Sequence, residues 1–138
     1  MTAMVLKAAY AALATVNYSA QIKKAELKAE VEDKDVTTFA SLGWMEYKGG
    51  LFKAGLSLSF LNDYTDNGLD EAMWTAFLAG DPIAFEVRAA NATVTASNPK
   101  WTGLVLVKEW SPLSGSVGDV AGHDVSWPTS GVVTRGVS

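Results

Sequence analysis

With one histidine and no cysteine in 138 residues, the chain has few groups able to do proton or nucleophile chemistry at neutral pH. His123 stands beside Asp124, a pairing that in a hydrolase orients and polarises an imidazole. In an extended strand, however, adjacent side chains point to opposite faces, so these two diverge. A zinc site or a nucleophile and base pair also needs further histidines or a thiolate, and the chain offers neither. An ordinary strand histidine is the reading that follows. Asp63-Tyr64-Thr65-Asp66-Asn67-Gly68 opens like a calcium loop, with oxygen ligands at alternate positions and glycine sixth. The twelfth position counted from Asp63 is Trp74, which supplies no carboxylate. A turn before a helix explains the same residues without a metal. The triplets at Asn17 and Asn91 match a glycosylation acceptor that matters only in a secreted chain, and both are set aside. No G-x-G-x-x-G, G-x-x-x-x-G-K or G-x-S-x-G run occurs. No catalytic residue, cofactor or metal is therefore assigned, and a non-enzyme is expected.

Aromatic residues are the other candidates, because rings on a sheet stack on sugars or on unpaired bases. Trp101, Trp110 and Trp127 fall at or near strand ends, where core and corner packing is the plain account. Trp44 and Tyr47 lie in a long connection, and there a protein partner explains them better.

Composition narrows the partners. Fifteen acidic against 11 basic residues leave a net charge of −4, without the basic stripe of a nucleic-acid binder. Hydrophobic residues make up 49% and charged ones 19%, which points to apolar surface buried between subunits. A length of 138 residues fits one domain, with an N-terminal arm over about residues 1–8 and a C-terminal tail over about 129–138. The Ala-rich start, Met1 to Ala14, reads as a weak signal peptide at best, since its positive region is nearly absent, with one lysine at Lys7, and it is too short and mild to span a bilayer. An arm and first strand is the preferred reading. No membrane partner is expected.

The elements that position these residues read mainly as strands. Lys24 to Glu32 alternates without a fault: Ala25, Leu27, Ala29 and Val31 on one side, Lys24, Glu26, Lys28, Glu30 and Glu32 on the other. That period of two prevails over the helix propensity of the same residues and puts one face on a core. Phe52, Ala54, Leu56, Leu58 and Phe60 form a second such face. Between them, 33–50 reads as a long loop or extended hairpin tip bearing Phe39, Leu42, Trp44, Met45 and Tyr47, folded against a neighbour. Leu69, Ala72, Met73, Ala76 and Phe77 make one helical stripe over 69–79, with Asp70 and Glu71 in the first turn and Gly80 as the stop. This helix is expected to pack on the sheet. Further strands are expected near Ala9 to Val16, Ile83 to Arg88, Trp101 to Trp110 and Asp119 to Trp127, about six to eight in all.

Four features in order carry a resemblance. They are Asp-x-Thr-Thr-Phe at Asp35 to Phe39, Gly-Gly-Leu at Gly49 to Leu51, the Leu-Asp-Glu-Ala-Met-Trp helix ending in Ala79-Gly80, and Trp-Pro-x-x-Gly at Trp127 to Gly131. From about Tyr18 to Gly131 the chain resembles the major tail (tail tube) proteins of long non-contractile-tailed phages. The resemblance implies an antiparallel β-sandwich or barrel-like fold with one flanking helix, and a structural virion protein assembled in the host cytoplasm. It implies hexameric rings, sheets joined edge to edge, stacked into a tail tube through which DNA is ejected. Implied partners are copies of itself, tape measure, terminator and initiator proteins, and DNA in transient, non-specific passage. The long loop and its aromatics would form the contacts between rings and subunits, and the charged strand from Lys24 to Glu32 would face the lumen or, equally, plain solvent. Two other readings share the composition: a capsid decoration or head-to-tail joining protein, and a carbohydrate-binding β-sandwich module.

Overall fold

The computed structural model describes residues 3–138. In chain order the strands are β1 (Tyr10–Leu13), β2 (Val16–Asn17), β3 (Ile22–Asp35) and β4 (Tyr47–Leu61), then helix α1 (Leu69–Ala79), then β5 (Ile83–Arg88), β6 (Lys100–Val105), β7 (Gly122–Pro128) and β8 (Thr134–Gly136). Every pairing is antiparallel. One sheet runs β2-β1-β5-β6-β8 and the other β3-β4-β7, the mainly β, two-sheet fold with one helix that the sequence implies.

Alternation builds the core. Leu56, Leu58 and Phe60 of β4 and Val125 and Trp127 of β7 meet Leu13 of β1, Phe85 of β5 and Val105 of β6, all buried. Fully burying each such large apolar side chain contributes roughly 1.5–3 kcal/mol. Gly103 lies opposite Phe85 in the ladder, and a Cβ there would stand 3.0 Å from the Phe85 ring, so the bare backbone makes room for the ring. Helix α1 closes the core with Leu69 and Met73, while Ala72 and Ala76 pack alongside. Phe77 departs from the expected packing stripe: it is exposed and stacks on Trp74 with centroids 5.5 Å apart. Eight residues beyond Leu69 at about 100° each leave it about 80° round the axis, at the edge of the buried face.

Several boundaries differ from those expected. The first strand breaks at Ala14 and Thr15, whose φ values are 50° and 67°, so the chain reverses and Leu13 pairs with Val16. Tight hairpins of this kind normally advertise themselves with Asn or Gly, and here neither is present. The strand expected through Trp110 leaves the ladder after Val105. Val107 and Trp110 remain buried as this segment crosses towards the other sheet, where the Leu106 N–H donates to the Pro128 carbonyl at 3.1 Å. The strand expected from Asp119 begins only at Gly122, after a turn in which the Asp119 N–H reaches the Ser116 carbonyl at 3.0 Å. The segment 129–138, read from sequence as a tail, holds β8, which pairs with Lys100 to Thr102. Of the N-terminal arm, residues 1 and 2 lie outside the described residues. The long loop is also shorter than expected, because an irregularity at Val31/Asp33 lets pairing resume with Asp33 opposite Gly49 and Asp35 opposite Tyr47. Only 36–46 remains as the hairpin tip.

Candidate interaction surface

The three-stranded sheet has two unlike faces, and the register defines them. Residues directly opposite one another share a face. On one face stand the rows Ala25/Leu58/Val125, Leu27/Leu56/Trp127, Ala29/Ala54 and Val31/Phe52; on the other, Lys24/Ser59/Asp124, Glu26/Ser57/Ser126, Lys28/Gly55/Pro128 and Glu30/Lys53. The apolar face is covered by the five-stranded sheet only at its root. Leu56 and Trp127 are fully buried, whereas Val31 is 47% and Phe52 86% exposed. Of the four apolar residues of β3 expected to face a core, Leu27 packs against it, and Ala25, Ala29 and Val31 are exposed. The alternation is real, but its outer half has no cover among the described residues.

The hairpin tip continues that exposed surface. Phe39, Leu42, Trp44, Met45 and Tyr47 are all exposed, Phe39 completely so, and Leu51, next to Phe52 in β4 and therefore on the other face, is exposed as well. The tip is nevertheless built. Asp35 Oδ1 accepts from the Thr37 N–H at 2.9 Å, and hydrogen bonds from the Thr37 side chain and backbone hold the Asp35 carboxyl below the usual carboxylate range. The Glu46 N–H donates to Thr37 Oγ1 at 2.8 Å, the Val36 N–H to the Glu46 carbonyl at 2.9 Å, and the Ser41 hydroxyl to the Glu46 carboxylate. The Thr38 N–H donates to Ser41 Oγ at 3.1 Å. Leu42 adopts the left-handed conformation with φ 53°, so polar groups fold inward and the large side chains outward.

The charged stripe Lys24, Glu26, Lys28, Glu30 and Glu32 is exposed along its length. Its signs are mixed by pairing: Glu30 lies 3.8 Å from Lys28 and 4.0 Å from Lys53 across the ladder, and Glu32 lies 3.0 Å from Lys34. Pairs this exposed contribute about 0–1 kcal/mol each. Their consequence is a face of balanced charge. The outer edge of β3, 14 residues long, has no strand beside it among the described residues. Such an edge is a template for pairing with another chain. By contrast, the outer edges of the five-stranded sheet are β2 and β8, of 2 and 3 residues. The free edge of β7 is partly occupied, because the Ser126 N–H donates to Glu109 Oε1 at 2.9 Å.

The candidates for chemistry are all tied into structure. His123 faces the core side of β7 with Trp110 at 4.4 Å and Phe60 at 5.8 Å, and Asp124 projects from the exposed face. Asn62 Nδ2 donates to Tyr64 and to the Ser111 and Pro112 carbonyls, so its Oδ1 is the atom that accepts from His123 Nδ1 at 2.8 Å. Nε2 is then an unprotonated nitrogen, buried without a partner. Burial pushes the His123 pKa down, against the opposing charges of Asp124, Asp70 and Glu109. Asp63 Oδ1 is taken up by the Thr65 N–H at 3.1 Å and hydroxyl at 2.6 Å, which lowers its pKa and forms the turn into α1. Trp110 Nε1 donates to Asp70 at 3.0 Å and Trp127 Nε1 to the Glu109 carbonyl at 3.0 Å. Among the described residues no cluster of three or more His, Asp or Glu is placed to hold a metal, and no helix is long and apolar enough to cross a membrane.

Sequence reasoning missed two surface features. One is the outward helix face Trp74, Phe77 and Leu78, spaced three and four residues apart, all exposed. The other is a groove of about 820 Å³ between the apolar side of β3 and the five-stranded sheet, reached also by Leu6 to Ala9. The helix face was legible, since a helix with apolar residues beyond one stripe has a second face to cover. The groove depends on how the sheets splay and has no sequence signal.

No protein-family model and no curated protein matches the sequence. Solved structures share the fold. A chain in the virion of a native gene transfer agent particle superposes with a TM-score of 0.67 at 19% identity, over 83% of this chain and 84% of that one. A chain in the tail of an empty gene transfer agent particle with C6 symmetry superposes with a TM-score of 0.66 at 20% identity, over 83% of this chain and 81% of that one.

Proposed function

We propose that this chain is a structural protein of a virion tail that associates with copies of itself into rings, and that the rings stack into a tube conducting DNA. The observation that carries the reading is the β3–β4 hairpin, whose outer half leaves Val31, Phe52 and the tip aromatics uncovered on a strand with a free edge. A fold shared with chains of gene transfer agent virion and tail particles supports the same conclusion. In the ring, the free edge of β3 pairs with a neighbour's sheet, removing the exposed edge. Phe39, Leu42, Trp44, Met45 and Tyr47 then meet the adjoining ring. The stripe from Lys24 to Glu32 lines the lumen, where mixed charge gives phosphates little to adhere to and lets DNA slide. Tape measure, terminator and initiator proteins complete the set of partners, and the whole chain acts as one domain with no enzymatic role.

Negative-stain electron microscopy of the purified protein at rising concentration, with light scattering alongside, tests this. Rings or hollow tubes are expected. Persistent monomers with tryptophan fluorescence quenched by glycans would transfer the function to a carbohydrate-binding module, and assembly confined to phage heads would transfer it to a decoration or joining protein.

A further inference from the structure

The groove beside β3 and the outer face of α1 are complementary. The groove is lined by apolar groups including Leu27, Val87 and Trp101, and its charged lining residues, Lys7, Lys23, Lys24 and Arg88, are all cationic. Arg88 is bridged to Glu86, while Lys7, Lys23 and Lys24 make no salt bridge among the described residues. The helix is its counterpart. Trp74, Phe77 and Leu78 form an apolar ridge, with Glu71 one turn before it and Asp81 just after. From Ala54 to Val87 the chain contains no lysine or arginine. Leu69 and Met73 anchor the opposite side of the helix in the core, and no α1 residue lines the groove. A chain therefore cannot fill its own groove with its own ridge.

We infer that the groove receives the Trp74–Phe77–Leu78 ridge of a second copy of this chain, with Glu71 and Asp81 of that copy set against Lys7 and Lys23. This rests on the self-assembly reading and specifies a contact within it. Unlike surfaces meet, so the contact is heterologous and propagates round a ring instead of closing a two-fold dimer. Burial of the aromatic ridge supplies the attraction, and opposite charge at the rim sets the register and rejects the reversed orientation.

The absence of native cysteine makes cross-linking specific. The full-length double variant Ala25→Cys/Leu78→Cys, with one thiol at the groove and one on the ridge, is treated with a short bismaleimide while the same sample is imaged. A covalent ladder from the double variant, with only monomers from either single variant, is expected in samples that show rings or tubes. Rings or tubes without a ladder overturn the inference and leave self-assembly standing. Neither rings nor ladder overturns self-assembly and the inference together. A ladder from Ala25→Cys/Leu42→Cys but not from Ala25→Cys/Leu78→Cys gives the groove to the hairpin tip, and dimers from Ala25→Cys alone give it to another groove; either result overturns the inference. As a second measurement, Asp81→Lys should reduce the assembled fraction by more than about tenfold through like-charge contact, and adding Lys23→Glu to the same chain should restore it. Circular dichroism unchanged from the parent excludes unfolding, and failure of the restoring substitution counts against the charged register.

Discussion

The two halves of the β3–β4 hairpin carry the same alternating pattern and meet opposite fates. At the root, Leu27, Leu56 and Trp127 form a row that the five-stranded sheet covers, and Leu56 and Trp127 are completely buried. Two rows further out, Val31 and Phe52 face the same way and are exposed among the described residues. Alternation marks a face that excludes water favourably when covered, without saying which molecule covers it. The root is stabilised by folding, and under the proposed function the outer half is stabilised by association.

The largest expected effect breaks that comparison at its root. Trp127→Ala removes a fully buried indole and its hydrogen bond to the Glu109 carbonyl, and should destabilise the chain by about 3–5 kcal/mol, read by urea unfolding. Phe52→Ser, at 86% exposure, should shift the same midpoint by no more than about 0.5 kcal/mol yet lower the assembled fraction seen by light scattering. Equal losses of stability from the two variants would mean the outer half is covered within the chain after all.

Trp110 lies between these extremes. Its ring meets Phe60 edge-on at 5.2 Å and its Nε1–H reaches the Asp70 carboxylate at 3.0 Å, tying the segment after β6 to the first turn of α1. Trp110→Phe keeps an aromatic ring and leaves Asp70 without its donor. A hydrogen bond to a charged group contributes about 1.5–3 kcal/mol, and a stability lowered by the small end of that range is expected from urea unfolding, with assembly unaffected where the chain stays folded, below the new midpoint. A parallel loss of assembly in the fully folded protein would show that this corner also belongs to the contact surface.

How far the sequence could be read follows the same division. The helix boundaries were legible because Gly68, Gly80 and a 3.6-residue stripe all agree, and β5 because Pro82 precedes it and the Asn98-Pro99 turn separates it from the next strand. The hairpin between β1 and β2 was hidden, since Ala14 and Thr15 take positive φ without a turn residue to announce it. Val107 kept an apolar pattern going after the ladder had ended at Val105, because burial and sheet pairing are separate demands that only sometimes coincide. At the candidate surface, the tip aromatics were legible by type and β3's charged stripe by period. The bulge that carries pairing on to Asp35 was not, nor was the groove, because both arise from how distant segments meet.

The smallest effects sharpen the comparison through pH, since each half holds a carboxyl or imidazole displaced from its ordinary value for a different reason. At the root, burial lowers the His123 pKa below 6.5. Between that lowered value and 6.5 the unfolded chain binds a proton that the folded chain refuses, so stability should fall as pH falls through this window and level off below it. Protonation would place a hydrogen on Nε2, which has no acceptor. His123→Gln should flatten the dependence of the urea midpoint between about pH 7 and pH 5. At the tip, Asp35 is held below its ordinary value of 3.8 by Thr37, so its contribution is present above 3.8 and is lost as pH falls through the lowered value. Its side chain organises an exposed loop and not the core. Protection of the Thr37 and Val36 amides relative to their intrinsic exchange at each pH should therefore fall in acid well before the core unfolds in the His123→Gln chain. Tip and core amides that lose protection together at one pH would contradict the division, since the tip would then depend on the core and not on its own hydrogen bonds.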